Sequence, residues 1–474
     1  MNLKLNDRTP KYQQIITFIR DKISNGEWPI GSKIPSQRQL AKLLNVNRST
    51  VITALEELAA DGLIEGQMGK GTIVINNTWS LLAATSLPNW NDNVPLGIYE
   101  PSKTTVQEIN ATESNSSLIQ LSKGELSPEL FPLQTMRDVM RRASEKMSSF
   151  GYEEPKGSLH LREAISNYLL TIGIKASPAS ILIVSGALQA LQLISIGLLK
   201  IGSTILLEKP SYLYSLHLFQ SAGMKLTGVS LDQSDFFTRK SKREQAILYT
   251  IPCFHNPTGR LLSSQHRQEI LKLCEKEQLP MIEDDIYREL WIDEKPPLPL
   301  KAFDSSGHVL YVDSLSKTLS PGLRIGWIVG SEPVIERLAD IKMQTDYGSS
   351  SISQSVAFEW LDSGLYEKHL VYVREQLKVR RGIVLFALET YLSDIACWEI
   401  PSGGLFVWIQ IKPKISMRDL FMKARANGLL INPGHIYGED SGRYLRLSYA
   451  YAPILELKQG IQQLSQLIKQ LIKK

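Results

Sequence analysis

At 474 residues the chain is long enough for two or three hydrophobic cores, and 43% hydrophobic with 21% charged residues is ordinary for a soluble globular protein. The net charge of +5 is too small over this length to establish an acidic partner. Three widely spaced cysteines argue against a disulfide framework and show no metal-binding spacing. The first residues include no uninterrupted apolar run, so neither a signal peptide nor a membrane span is expected, and we predict a cytoplasmic protein.

The first 78 residues show helical periodicity in three stretches. Apolar residues recur at helical spacing over residues 11–25, which predicts an amphipathic helix. Ser36 begins the Ser-x-x-Gln form of a capping box for a second helix, and Asn47 can cap a third after a tight turn. Two short β-rich runs then flank a glycine-rich turn at 66–71 and predict a hairpin. Three helices and a hairpin make a winged helix-turn-helix domain.

This segment also carries a basic excess of +3, from ten basic and seven acidic side chains. The first residues of the second helix in such a pair reach base edges, so Arg48 is expected to read a guanine. Ser49 and Thr50 beside it can bond a base or a phosphate. Arg38 is placed for a phosphate contact, and Lys70 at the hairpin tip for the minor groove. The alternative is a protein-binding module with exposed arginines.

Residues 79–118 are predicted to be a linker. Ser, Thr or Asn fills 15 of these 40 positions and only one residue is basic, so the segment cannot build a core of its own. Trp79, Trp90, Ile98 and Tyr99 are too apolar for a fully free chain, which would allow some of them to dock on a folded neighbour.

In residues 119–474, short apolar runs rich in β-branched residues alternate with longer helical stretches. The runs cover residues 181–184, 204–207, 246–251, 281–282, 309–312 and 325–329. This alternation predicts an α/β domain with a mostly parallel central sheet. Ligands of such sheets bind beyond the carboxyl ends of the strands, so the residues that follow each run form the candidate site.

The residues that follow these runs are unusually polar. They include Asn256, Asp284, Tyr287, Ser314, Lys317 and, where a helix opens after residues 181–184, Ala187 and Leu188. Together they offer an amine, a carboxylate, an amide, a phenol and free backbone N–H groups that favour an anion. Pyridoxal 5′-phosphate requires this set of groups.

Each group then has a predicted role toward that cofactor. Lys317 would form the covalent bond to the aldehyde, and Asp284 would pair with the ring nitrogen. Asn256 and Tyr287 would bond the phenolate oxygen, while Tyr212 would stack on the ring.

The phosphate would be held by a separate group of residues. These are Ser314, Arg324 and the N–H groups of Ala187 and Leu188. Taken singly, these motifs are often only turns, helix caps or loops. Their shared position at strand ends favours a common site.

Residues 34–41, 46–51, 55–64 and 69–72 resemble the winged-helix DNA-binding domain of the GntR family, which supports the DNA interpretation. Residues 185–191, 256–259, 283–287 and 314–318, with Arg324, resemble the fold-type I aminotransferases, and the likeness runs from about residue 121 to the end. A domain pair of this kind is similar to the MocR subgroup of the GntR family of bacterial transcription regulators.

The resemblance implies further roles. Arg446 matches the arginine that binds the substrate carboxylate, and Gly124 matches a glycine that lines the substrate site. Tyr152 matches a tyrosine that reaches the phosphate of a neighbouring subunit. Ala187 departs from the pattern, because relatives often carry a serine or threonine there.

For the whole chain, the resemblance implies a pyridoxal-phosphate-dependent regulator that binds operator DNA, senses an amino acid or related amine, and forms a homodimer. Two alternatives stay open. The large domain retains the residues for transamination, so the chain would also suit an active aminotransferase that binds DNA. In the other alternative, the large domain is a dimerisation scaffold that binds no cofactor.

Overall fold

The structure is a computed structural model that describes residues 9–24, 27–67, 71–75, 103–232, 236–237 and 245–472. The chain divides into two units between Ile98 and Tyr99, and each unit is described by itself. In the described ranges, no helix combines the length and apolar character that crossing a membrane would need.

The first unit is a winged helix-turn-helix, as predicted. Its elements are α1 Lys11–Ser24, α2 Gln37–Leu44, α3 Arg48–Ala60, β1 Ile64–Gln67 and β2 Gly71–Val74. The two strands pair antiparallel. Each helix buries at least one apolar side chain fully between the elements; these side chains include Ile15, Ile19, Leu40, Val51 and Leu58. Burial of this shared apolar face holds three short helices that would be marginal alone.

The predicted helix start at Ser36 is confirmed. Its side chain accepts a hydrogen bond from the backbone N–H of Gln39 at 3.4 Å, and its own N–H donates to Gln39 Oε1 at 2.8 Å. Asn47 precedes α3, but its side chain makes no capping hydrogen bond. Asn45 takes a left-handed conformation (φ 53°) and turns the chain between α2 and α3.

The structure differs from the predicted linker over residues 104–118. Helix α4, Thr104–Thr112, buries Val106 and Ile109 in the core of the second unit. Strand β3, Ile119–Gln120, follows and pairs with residues near the end of the chain. The polar composition concealed this helix because a single buried stripe needs few apolar residues.

The second unit is built on a seven-stranded sheet. Its strands are β4 Ile181–Val184, β5 Thr204–Glu208, β6 Lys225–Val229, β7 Ala246–Thr250, β8 Met281–Asp284, β9 Val309–Ser314 and β10 Gly326–Val329. The spatial order is β4-β10-β9-β8-β7-β5-β6. Only β10 runs antiparallel to its neighbours, so the predicted mostly parallel sheet is confirmed. The edge strand β6 was not predicted, since polar Lys225 and Thr227 interrupt its apolar pattern.

Both faces of this sheet are covered. In β4, Leu182 and Val184 join one apolar core, whereas Ile181 and Ile183 join another on the opposite face. The covering and flanking helices are α5 Leu133–Lys146, α6 Leu159–Thr171, α7 Ala187–Leu198, α8 Leu218–Ser221, α9 Ser264–Lys276, α10 Glu332–Thr345, α11 Ser351–Asp362, α12 Leu365–Leu392, α13 Met417–Ala426 and α14 Ile454–Ile472.

A small antiparallel sheet completes the second unit. It comprises β11 Ala396–Trp398, β12 Phe406–Ile411, β14 Asn432–Pro433 and β15 Tyr444–Ser448, in the order β11-β12-β15-β14. The two-residue strand β13, Leu429–Leu430, pairs in parallel with β3. Arg446 lies in β15, where it is paired with Trp408 on one side and Asn432 on the other.

Candidate functional site

The second unit contains a cavity of about 360 Å³. This volume suits a small organic ligand. The cavity is lined by all nine residues predicted to hold the cofactor, namely Ala187, Leu188, Tyr212, Asn256, Asp284, Tyr287, Ser314, Lys317 and Arg324. Gly124 and Arg446, predicted for the effector, line it as well.

Strand topology explains why residues so distant in the chain meet here. Asp284 ends β8 and Ser314 ends β9, which are parallel neighbours. Asn256 follows the end of β7, and α7 starts three residues after the end of β4. Because the carboxyl ends of parallel strands lie at one edge of a sheet, these groups converge on one cavity.

Lys317 lies in the turn after β9 with its amine in this cavity. Nζ donates a hydrogen bond of 2.7 Å to the carbonyl oxygen of Gly124. Removal from water lowers the pKa of the Lys317 amine, while Glu125 acts in the opposite direction. A lowered pKa raises the neutral fraction of the amine, which is the form that attacks a carbonyl carbon.

Asp284 combines deep burial with an oxygen that has room for a donor. Oδ2 accepts a 2.7 Å hydrogen bond from the Tyr249 hydroxyl. Oδ1 accepts none of good geometry among the described residues, although the nearby N–H of Ile286 helps to lower the carboxyl pKa. Burial outweighs these bonds and raises the pKa of Asp284 to about 6. A buried carboxylate with an open oxygen fits a protonated ring nitrogen.

Asp284→Asn is expected to alter how stability depends on pH. The pKa of Asp284, about 6 in the folded chain, exceeds its unfolded value. The free energy of unfolding of the wild-type protein therefore falls as pH rises from 4 through 6. At pH 8 the ligand-free variant should therefore be more stable by up to about 3 kcal/mol, and near pH 4 the two should match. Urea unfolding at both pH values measures this difference. An equal difference at pH 4 and pH 8 would contradict the assignment.

Asn256 bridges Tyr287 and Arg446. Its Nδ2 lies 3.2 Å from the Tyr287 hydroxyl, and its Oδ1 accepts a 2.9 Å hydrogen bond from Arg446 Nη1. Burial raises the pKa of Tyr287 well above its ordinary value, so the phenol stays protonated and able to donate. One amide therefore orients two of the predicted ligand-binding groups.

Arg446 is a buried cation without an anionic partner among the described residues. Arg446 is only 6% exposed to solvent, and its guanidinium lies 4.0 Å from the centre of the Phe406 ring. Nη2 donates to the carbonyl of Ser122 at 2.6 Å, but Nε has no acceptor in the part of the chain that the structure describes. Among the described residues, no carboxylate lies within 4 Å of this guanidinium. Since buried charges in proteins are normally paired, the arrangement favours an anionic ligand.

The predicted phosphate subsite lies at the start of α7. Gly186 has φ +91°, a backbone conformation that favours glycine, and a Cβ there would lie 2.7 Å from Arg324 Nη2. Arg324 donates to the carbonyl of Ser185 at 2.5 Å. The Ser314 hydroxyl is already engaged, because it donates to the Ile325 carbonyl at 2.8 Å and accepts from the Ser316 N–H at 3.1 Å.

Tyr152 stands apart from the other predicted residues. It is 82% exposed and does not line the cavity of its own chain. Its ring packs on Tyr347 with ring centres 4.8 Å apart. A role toward the site of a neighbouring subunit therefore stays a prediction.

Residues that sequence reasoning did not single out also form the site. Tyr249, read as part of an apolar strand, donates to Asp284 from the neighbouring strand. Phe406 and Tyr437 place aromatic rings beside Arg446. A tyrosine in an otherwise aliphatic strand was the available signal for Tyr249. Only the tertiary contact identifies the two rings beside Arg446.

In the winged helix, the predicted base-reading residues lie on an exposed helix start. Arg48 and Ser49 are exposed and open α3, and Thr50 is half-buried beside them. Gln37 Oε1 accepts from Arg48 Nη2 at 3.0 Å and from Nε at 3.3 Å, which orients the guanidinium. Arg38 is exposed in the first turn of α2. Lys70, predicted for the minor groove, lies outside the described residues.

Arg48→Ala is expected to remove preference for one operator base, at about 1–3 kcal/mol of discrimination. Arg38→Ala is the matched control, since loss of a phosphate contact should weaken all sequences alike and reduce the salt slope by about one. Binding of full-length protein to operator variants and random DNA at several salt concentrations distinguishes the two. Equal losses on operator and random DNA for both variants would refute the assignment.

Within the ranges that the structure covers, no group of three His, Cys, Asp or Glu side chains is arranged to hold a metal ion. The fold and site define a class of protein: a winged helix-turn-helix DNA-binding module joined to an aminotransferase-like domain.

Comparison with known proteins identifies the family. The family described as "Bacterial regulatory proteins, gntR family" matches residues 11–74, and "Aminotransferase class I and II" matches residues 116–464. The chain belongs to the HTH-type transcriptional regulators that join these two domains, the arrangement of the MocR-type GntR family. It is thus a transcriptional regulator with an aminotransferase-like domain.

Similar proteins extend over nearly the whole chain. The uncharacterized HTH-type transcriptional regulator YdfD of Bacillus subtilis (strain 168) is 65% identical, covering 98% of this chain and 97% of that protein. The HTH-type transcriptional regulator NorG of Staphylococcus aureus (strain N315) is 38% identical, with 92% and 99% covered.

Solved aminotransferase structures match the large domain. Kynurenine aminotransferase of Pyrococcus horikoshii, in complex with PMP, has a TM-score of 0.73 at 30% identity and covers 79% of this chain and 96% of that chain. A multiple substrate aminotransferase from Thermococcus profundus has the same TM-score and coverage at 28% identity.

Proposed function

We propose that the cavity binds pyridoxal 5′-phosphate and that the regulator senses an amino acid or related amine there. The observation that carries this proposal is that one cavity contains both a lysine amine and a buried arginine with no carboxylate within 4 Å among the described residues. The cofactor aldehyde held at Lys317 would take the α-amino group of an amino acid, and the guanidinium of Arg446 would bind its carboxylate.

The residues present fit the cofactor. When bound, pyridoxal 5′-phosphate supplies an aldehyde that reacts with primary amines and a ring that withdraws electrons. Lys317 would hold it covalently, and Asp284 would offer its open Oδ1 to the ring nitrogen. Asn256 and Tyr287 would bond the phenolate oxygen, with Tyr212 against the ring.

The phosphate would rest against the start of α7. Arg324, the N–H groups of Ala187 and Leu188, and Ser314 would hold it. Ser314 already bonds within its own loop, so Arg324 and the backbone carry most of this contact. Because residue 187 is alanine, its contribution is limited to the backbone N–H.

Along the chain, helix α4 connects the cavity to the segment that leads back to the DNA-binding unit. It is the first described element after the winged helix along the chain, and Val106 and Ile109 on it line the cavity. Arg418 holds its outer face through an ion pair with Glu108. A ligand that moves α4 would act on the chain that joins the two units. We further propose a homodimer on an operator with paired half-sites.

The test uses full-length protein loaded with pyridoxal 5′-phosphate. Candidate amino acids are titrated while visible absorption of the bound cofactor and operator binding are both recorded. We expect at least one amino acid to change both the cofactor absorption and the operator binding over the same concentration range. Absence of any cofactor absorption would leave only the scaffold alternative.

An active aminotransferase that binds DNA is the second candidate. Lys317, Asp284, Tyr287 and Arg446 all line one cavity, as transamination would require. Steady-state turnover with pairs of amino acids and keto acids separates the two candidates. Many catalytic cycles per chain would overturn a purely regulatory function.

A further inference from the structure

One side of the cavity is left unassigned by the roles proposed above. It is formed by the carboxyl end of α4 and the segment after β3, and its polar side chains are Asn110, Glu113, Lys123 and Glu125. Gly124, which accepts the hydrogen bond from Lys317, lies between the last two. This side therefore adjoins the reactive amine.

The charges on this side do not cancel. Lys123 Nζ lies 3.6 Å from Glu125 Oε2, bonds the Tyr451 hydroxyl at 3.3 Å, and sits 4.4 Å from the centre of that ring. These contacts engage Lys123 and offset one carboxylate. The Glu113 carboxylate makes no hydrogen bond or ion pair within 4 Å to any other described residue. The negative charge of Glu113 thus has no direct partner in the described ranges.

The position of Glu113 costs stability in the free protein. It caps the carboxyl end of α4, where its N–H donates to the Ile109 carbonyl at 2.9 Å. A negative side chain at this end faces the negative pole of the helix dipole. Partial burial raises the pKa of the Glu113 carboxyl, while Lys123 and Arg446 act against that rise. A cation bound beside Glu113 would relieve both unfavourable effects.

A second observation points to a ligand in the same cavity. Arg446, at 6% exposure, has an unpartnered Nε and no carboxylate within 4 Å among the described residues. Among the described residues, the cavity thus presents a cation in its wall and a carboxylate at the end of α4 that each lack an ion-pair partner within 4 Å. One ligand that carries both a negative and a positive charge would complement both groups.

We propose that the effector is an α-amino acid with a cationic side chain, whose carboxylate binds Arg446 and whose side-chain cation binds Glu113. This inference rests on the proposed function, which supplies Arg446 for the carboxylate and the cofactor aldehyde held at Lys317 for the α-amino group. Glu113 is then the residue that determines specificity.

The test compares cationic and neutral amino acids of matched size on the full-length, cofactor-loaded protein. 2,4-Diaminobutyrate is titrated beside norvaline, ornithine beside norleucine and lysine beside 2-aminoheptanoate, with absorption of the bound cofactor as the readout. Wild-type protein should prefer one of the cationic ligands by about tenfold or more over its neutral match. Glu113→Gln should reduce that ratio to about one while leaving neutral ligands unchanged.

Glu108→Gln is the matched control, because it removes a carboxylate from the same helix that pairs with Arg418 outside the cavity. It should retain the preference, and Glu113→Lys should shift it toward glutamate. If wild-type protein binds neutral and cationic ligands equally, the inference fails while the proposed function stands. If no amino acid alters the absorption, both fail. Thermal unfolding of each variant verifies that it is folded.

Discussion

Lys317→Ala is expected to abolish the covalent attachment of pyridoxal 5′-phosphate completely. The Lys317 amine lies in the cavity with its pKa lowered by burial, and no other described lysine except Lys123 lines it. Borohydride reduction followed by peptide mass spectrometry should label Lys317 in the wild-type chain and leave the variant unlabelled. The visible band of the lysine-linked cofactor should disappear with it.

Two further variants separate loss of the nucleophile from loss of a charge. Lys317→Arg keeps the positive charge but cannot form the bond, so it should resemble Lys317→Ala. Lys123→Ala removes the other cavity lysine, which is held by Glu125 and Tyr451, and should keep both label and absorption. Label that persists in Lys317→Ala would remove Lys317 from the proposed site.

Arg446→Ala is expected to remove the response to carboxylate-bearing effectors while leaving the cofactor attached. Truncation of a buried group that bonds a charged ligand typically costs 2–5 kcal/mol, so the effector affinity should fall by about 30-fold or more. The wild-type arginine also bonds Asn256 and the Ser122 carbonyl. Part of the measured loss in affinity will therefore come from weaker contacts to the cofactor. Titration of the effector against cofactor absorption measures the change.

Arg443→Ala provides the control for Arg446→Ala. Arg443 is exposed just before β15 and contacts the Lys412 carbonyl rather than the cavity, so its loss should leave effector affinity unchanged. Arg446→Lys should recover only part of the response, because an ammonium lacks the planar paired donors of the guanidinium. A full response in Arg446→Ala would place the effector elsewhere or show that it needs no carboxylate.

Much of the site was predictable because its residues follow strands that are recognisable in the sequence. Asn256, Asp284 and Lys317 each come at or after an apolar run, and strand-end placement alone suggested that they meet. Arg446 came from resemblance, since nothing in a lone arginine within a strand distinguishes it from an ordinary surface residue.

Other features depended on contacts that no local pattern encodes. The predicted linker concealed α4, whose two buried apolar residues are too few to show helical periodicity against a polar background. Glu113 read as part of that polar segment, and only the fold places it in the cavity wall. The same holds for the hydroxyl of Tyr249, which approaches Asp284 from a neighbouring strand.

The sequence by itself determined the two-domain organisation, the mostly parallel sheet and the residues grouped at its strand ends. These features follow from hydrophobic periodicity, helix capping and the alternation of strands and helices along the chain, which can be recognised in short segments. The tertiary structure decided which charged side chains lack a direct partner. Lys123 pairs with the nearby Glu125 and bonds the hydroxyl of Tyr451, which is 328 positions away in the chain. Glu113 and Arg446 have no ion-pair partner within 4 Å among the described residues, because pairing depends on distances that only the folded chain sets.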